Sequence, residues 1–113
     1  MAGADPVLMH TAPIPATQKI LARSGLDLDK IGAFEVKAAF APVSLAWLAD
    51  VGADEERLNP LGGAIALGHP LGASGVRLVT ALVHPMRDKG IRCGLQTMCE
   101  AGGQANATIL ELL

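Results

Sequence analysis

The sequence predicts an α/β fold: a mixed sheet with helices packed on it, ending in an antiparallel strand pair. Three observations carry that prediction. Apolar stretches punctuated by proline and glycine read, in order, as helix, strand, helix, loop, helix, strand, strand. The last two strands are joined only through Ala101-Gly102-Gly103, which suits an antiparallel pair, whereas a parallel crossover needs a dozen or more residues. Finally, 113 residues that are 50% hydrophobic and 18% charged make one domain, residues 1–113, with a core of its own.

The elements follow in chain order. Residues 1–12 read as extended. Pro13-Ile14-Pro15 opens a helix, because proline suits the first turn, where an N–H has no partner to lose. Ile20 and Leu21 give this helix its apolar face, and Gly25 after Arg23 closes it. Residues 26–31 form a short acidic turn, and Ala33 to Val36 a short strand running inward. A second helix spans Ala41 to Val51, with Pro42 in its first turn. Ser44 and Asp50 are its only polar residues, so burial on more than one side is expected. Residues 57–66 read as a loop or short strand broken by Pro60. Residues 68–75 lead into a third long helix over 73–89, whose apolar residues point in several directions and predict burial on most faces. Pro85 lies inside it, at a cost of about 3 kcal/mol unless the helix kinks or ends there. Gly90 is its cap. Strands over 92–100 and 105–112 complete the chain. Two apolar helices are too many for so small a domain, so one should show a bare face that a partner covers.

Composition excludes several functions. Nine basic against eleven acidic residues give a net charge of −2, without the basic excess that a nucleic-acid surface needs. Phe34, Phe40 and Trp47 are the only aromatics besides histidine, too few for a stacking platform. The charge-free stretch 58–76 is interrupted by Asn59, Pro60, His69, Pro70 and glycines, which makes a poor membrane span. The opening MAGADPVLMH lacks a basic region before an apolar core, so no signal peptide is expected. Cys93 and Cys99 are too few for a disulfide framework, so a reduced, cytoplasmic setting is expected. With His10, His69 and His84 they make no zinc-ligand spacing, so no metal is expected.

Two residues stand where chemistry is possible. His69 lies in Gly68-His69-Pro70-Leu71-Gly72, where flanking glycines open the backbone to a ligand and the loop feeds a helix start. An imidazole there can polarise a carbonyl or accept a proton near neutral pH, or it can simply fill the turn. Cys99 ends a strand just before Glu100-Ala101-Gly102-Gly103, whose N–H groups could face an oxyanion. Its thiol can act as nucleophile or acid/base, or it can pack as a small hydrophobe, as Cys93 is expected to do. The glycine stretch is neither a Walker loop nor a G-x-G-x-x-G motif.

The run Gly62-Gly63-Ala64-Ile65-Ala66-Leu67-Gly68-His69-Pro70-Leu71-Gly72-Ala73-Ser74-Gly75 closely resembles the histidine motif of the thiolase family. Gly94-Leu95-Gln96-Thr97-Met98-Cys99-Glu100-Ala101-Gly102-Gly103-Gln104 resembles that family's C-terminal cysteine–glycine motif. Asp5 to Met9 and Pro13 to Thr17 resemble the lead-in to its C-terminal half. The resemblance implies a partial, thiolase-like C-terminal half. It implies acyl exchange between coenzyme A thioesters, with acyl-CoA and coenzyme A as substrates and no bound cofactor. It casts His69 as the group that activates the nucleophile and donates to the thioester oxygen. It casts Cys99 as the acid/base for the substrate α-carbon or the departing thiol. The two side chains should then converge on one cleft. The family's acylated cysteine has no counterpart here, so an N-terminal half or a homo-oligomer is the expected partner.

Several positions depart from the family pattern. Lys37-Ala38-Ala39-Phe40 replaces Asn-Glu-Ala-Phe, whose Asn holds a water in one oxyanion hole with the histidine. Lys37 and Phe40, with Ala101 and Gly102, are therefore candidate oxyanion or substrate-lining residues. A lysine can donate a hydrogen bond but is a flexible, hydrated point charge, and losing one oxyanion donor costs roughly 10²–10³ in rate. Ala101 replaces a glycine, and its Cβ is expected to disfavour the backbone angles needed there. Leu61 replaces a second Asn, and His10 and Ala12 replace glycines. These changes leave open a non-catalytic binding or assembly module derived from the same fold, or a truncated inactive product.

Overall fold

The computed structural model describes all of residues 1–113. The chain folds into strand β1 (Ala2–Gly3), helix α1 (Pro13–Ser24), strand β2 (Ala33–Val36), helices α2 (Ala41–Val51), α3 (Gly63–Leu67) and α4 (Ser74–Lys89), and strands β3 (Cys93–Glu100) and β4 (Gln104–Glu111). The four strands form one mixed sheet in the order β1-β4-β3-β2. β3 pairs antiparallel with β4 from Cys93↔Glu111 to Glu100↔Gln104, and β2 runs parallel to β3, Ala33 opposite Gly94 and Val36 opposite Thr97. The expected closing pair is thus present, and β2 supplies the parallel component of the mixed sheet.

Two apolar layers sandwich this sheet. On one side Phe34, Val36, Cys93 and Leu95 meet Ile31 and Trp47, with Ile14, Ile20 and Leu21 of α1 packed against them. Trp47 has no exposed surface; its ring lies 5.3 Å from that of Phe34. Its indole N–H donates to the Thr17 hydroxyl at 2.9 Å, which donates to the Pro13 carbonyl at 2.8 Å. A buried indole needs such an outlet, and this one ties α2 to α1. On the other side α4 lays Leu82 and Met86 on Ala33. The approach is close because position 94 is glycine: a Cβ there would sit 2.5 Å from the Met86 sulfur.

Helix ends follow the local chemistry. Pro13 is the first residue of α1 and Gly25 caps it in the left-handed region at φ 71°. Gly52 and Gly90 close α2 and α4 in the same way. Buried Pro85 does not end α4, which continues to Lys89.

Four expectations are corrected. Residues 1–12 are not uniformly extended, since Met9–Thr11 turn as a 3₁₀ helix. The stretch 57–66 is not a plain loop or strand. Leu58 bridges Phe34, and α3 begins at Gly63. Gly63 carries φ 63°, and a Cβ there would lie 2.8 Å from the Asn59 amide nitrogen. Helix α4 buries one face (Leu78, Ala81, Leu82, Met86) and leaves Val76 exposed, so its apolar residues do not mean burial on most sides. Helix α2 likewise buries Val43 and Trp47 while Leu45 stays 60% exposed. The bare helix face expected from composition is present on α2.

Candidate active site

Because β2 and β3 run parallel, their C-terminal ends reach the same edge of the molecule, and the residues leaving them become neighbours. Lys37 follows β2, and its N–H still donates to the Thr97 carbonyl at 3.0 Å. Its ammonium turns across the strand ends to the last turn of β3. Nζ lies 3.4 Å from the Cys99 carbonyl oxygen and 3.6 Å from the Cys99 sulfur. Both side chains are buried. Lys37 and Cys99, sixty-two residues apart, therefore form one polar contact.

His69 stands in the turn between α3 and α4. Gly68 leaves α3 at φ 87°, in the left-handed region. The His69 Nδ1 is 2.5 Å from the Ser74 hydroxyl, which itself donates to the Pro70 carbonyl at 2.8 Å. A hydroxyl has one proton. With that proton on Pro70, Ser74 can only accept from His69. In the tautomer that suits this arrangement, the imidazole carries its proton on Nδ1 and leaves Nε2 as an acceptor. Partial desolvation first, and the Lys37 ammonium second, hold the His69 pKa below the ordinary histidine value. The ring is then neutral at physiological pH. Lys37 is the one charged side chain among the causes lowering it.

Asn59 holds the floor of this edge. Its backbone N–H donates to Phe34 at 2.7 Å, its Oδ1 accepts from the Val36 N–H at 2.8 Å, and its Nδ2 donates to the Val36 carbonyl at 3.1 Å. A side-chain amide thus imitates a neighbouring strand and fixes where β2 hands over to Lys37.

The remaining candidates fall beside this cluster. Phe40 is 59% exposed at the start of α2, edge-on to His10 at 5.5 Å. With Pro42, Val43 and Ala46 it lines an apolar groove of about 440 Å³. Gly102 and Gly103 take positive φ (75° and 74°), whereas Ala101 does not. The strain expected from the Ala101 Cβ is therefore absent, because the turn places its left-handed residues one and two positions later. Cys93 lies in the core with Phe34 and Leu95. The open groove of about 410 Å³ between α1 and β4 contains none of these residues. Reading the sequence alone missed two contributors: Ser74 and Asn59. A serine five residues after the histidine was the one available signal, since it falls in the first turn of the following helix.

Residues 1–112 match the family described as thiolase, C-terminal domain. The chain is 56% identical over 110 residues to the steroid 3-ketoacyl-CoA thiolase FadA6 of Mycobacterium tuberculosis, covering 97% of this chain and 27% of that protein. It is 48% identical to a 3-ketoacyl-CoA thiolase of Pseudoalteromonas translucida (98% of this chain, 29% of that one). It is 47% identical to one of Aliivibrio salmonicida (98% and 30%). The chain spans less than a third of the length of these relatives.

Proposed function

Because the chain belongs to the thiolase family as its C-terminal domain, we propose that it supplies the acid/base half of an acyl-CoA acyltransferase. The substrates are coenzyme A thioesters of 3-keto acids, cleaved by a thiol or formed by the reverse condensation. The acylated cysteine comes from an N-terminal half that this chain does not contain, and the setting is the reducing cytoplasm, where two free thiols persist.

One observation carries the reading: the Lys37 ammonium touches the Cys99 sulfur and its field reaches His69. The Nε2 of His69, unprotonated and half-buried, is the proton acceptor for an attacking thiol. Cys99 handles the proton of the substrate α-carbon. Lys37, where the family pattern has an amide, offers a charged donor to the thioester oxygen as negative charge develops on it. No helix is long and apolar enough to cross a membrane. Leu61, Ile65, Leu71 and Val76, between 48% and 89% exposed around the His69 loop, form the surface that the N-terminal half covers.

The test is to combine the purified chain with the N-terminal portion of a relative and follow loss of a 3-ketoacyl-CoA upon addition of coenzyme A. Turnover by the pair, lost in His69→Asn and Cys99→Ala, supports the reading. An assembled pair with no turnover, or with turnover indifferent to both substitutions, overturns it. Turnover by the chain alone removes the need for a second half.

A further inference from the structure

Glu35 stands mid-strand in β2 with no exposed surface. Its side chain leaves the sheet on the same face as Ala33, toward α4. Neither carboxyl oxygen has a hydrogen-bond partner. Gln96, directly opposite on β3, leaves its Nε2 unpartnered as well. Buried polar groups in folded proteins nearly always have a partner, from the protein or from an ordered water. Two adjacent residues that lack one mark a place that something fills.

The space beside Glu35 is small. A cavity of about 10 Å³ is lined by Glu35, Gly63, Gly68, Ser74, Arg77 and residues of α4. That is room for about one water, which needs two to four polar partners. Arg77 can donate to it, and the Glu35 carboxyl can accept from it. Ser74 can also accept, because its oxygen has two lone pairs and His69 uses only one.

We propose that Glu35 is a positioning residue for His69, acting through a single water in the cavity it shares with Ser74. The proposal rests on reading His69 as the base of the site. The water donates one hydrogen bond to Glu35 and the other to the free lone pair of Ser74. With both lone pairs occupied and its own proton on Pro70, Ser74 cannot turn its hydroxyl toward the imidazole. His69 must then keep its proton on Nδ1, and Nε2 stays free to accept one. Burial pushes the Glu35 carboxyl up to about 7. Arg77 from α4 and Lys37 from the same strand face are the cations on this side, and His69 lies beyond Ser74. Protonated or ionised, the carboxyl keeps an oxygen that accepts from the water, so the tautomer holds through this titration.

The experiment is nitrogen NMR of the chain with ¹⁵N-labelled histidine, His69 being assigned by its loss in His69→Asn. The wild-type ring is expected in the Nδ1–H form. Glu35→Leu removes the acceptor and should produce a mixture of tautomers, while Glu35→Gln keeps an acceptor oxygen and should restore the Nδ1–H form. In the pair assembled with an N-terminal half, Glu35→Leu should lower kcat roughly two- to tenfold, the fraction of rings lost to the wrong tautomer, with KM unchanged. An unchanged tautomer in a folded Glu35→Leu overturns the proposal. Should that variant not fold, a high-resolution crystal structure of the wild type decides. A water within hydrogen-bond reach of both Glu35 and Ser74 supports it, and an empty cavity or a direct Glu35–Arg77 pair overturns it. If the tautomer responds to Glu35 but the assembled pair shows no thiolysis, the proposed activity fails and the positioning role stands. Thiolysis with an unresponsive tautomer leaves the activity standing and overturns the positioning role.

Discussion

Replacing Glu35 by glutamine should change how stability depends on pH, and the sign follows from its burial. The carboxyl has no exposed surface and no hydrogen-bond partner, and its pKa rises from 4.5 to about 7 on folding. Between these values the folded state holds a proton that the unfolded chain has released. Stability therefore falls as pH rises from about 4.5 through 7, and the loss is complete above the folded pKa. Each pH unit of separation is worth about 1.4 kcal/mol, so the rise from 4.5 to about 7 makes the penalty at pH 8 roughly 3 kcal/mol. The amide of Glu35→Gln carries no titrating proton and escapes it. Urea unfolding of both proteins from pH 5 to 8 should show the variant gaining roughly 2 kcal/mol on the wild type across that range, with equal m-values. Parallel stability curves would mean that Glu35 is already ionised and paired in the folded protein, and the reasoning from burial would fail.

Lys37→Gln should raise the His69 pKa toward the ordinary histidine value, because one of the two causes lowering it is removed; an NMR titration of the ring reads this, and an unmoved midpoint would leave desolvation as the sole cause. Gly94→Ala should destabilise by about 1–3 kcal/mol in urea unfolding, since its Cβ would meet Met86 at 2.5 Å and Leu82 at 3.1 Å and force α4 outward. Ala101→Gly should cost stability, about 0.4–1 kcal/mol, because residue 101 does not use positive φ and glycine there only enlarges the freedom of the unfolded chain. A gain in stability on that change would restore the expectation that the Cβ strains the turn.

Much of the fold was legible because its boundaries are written in residues whose backbone chemistry is local. Pro13, Gly25, Gly52 and Gly90 start or stop helices by their own φ preferences, and those ends lie where the residue pattern put them. The strand pair was equally plain, since a three-residue join leaves antiparallel pairing as the short solution. Helix α3 was not, because Gly62, Gly63 and Gly68 read as loop residues, and the helix begins only where the Gly62 N–H donates to the Asn59 carbonyl at 2.7 Å and Gly63 leaves room for the Asn59 side chain. The burial of α4 was overestimated for a related reason. Periodicity shows which residues are apolar, but only the sheet's position selects the face that meets it.

Motif resemblance was enough to point to the family, which the match over residues 1–112 bears out, residue type and spacing gave most of the element order, and His69 and Cys99 stood out as candidates for moving protons. That Lys37 lies against Cys99, that Ser74 bonds the Nδ1 of His69, and that Glu35 is fully buried came from the folded arrangement alone. The contact between Lys37 and Cys99 spans sixty-two residues and arises where parallel strands end side by side. No local pattern encodes such neighbours, since they exist only once β2 and β3 have paired in register and α4 has closed over Gly94.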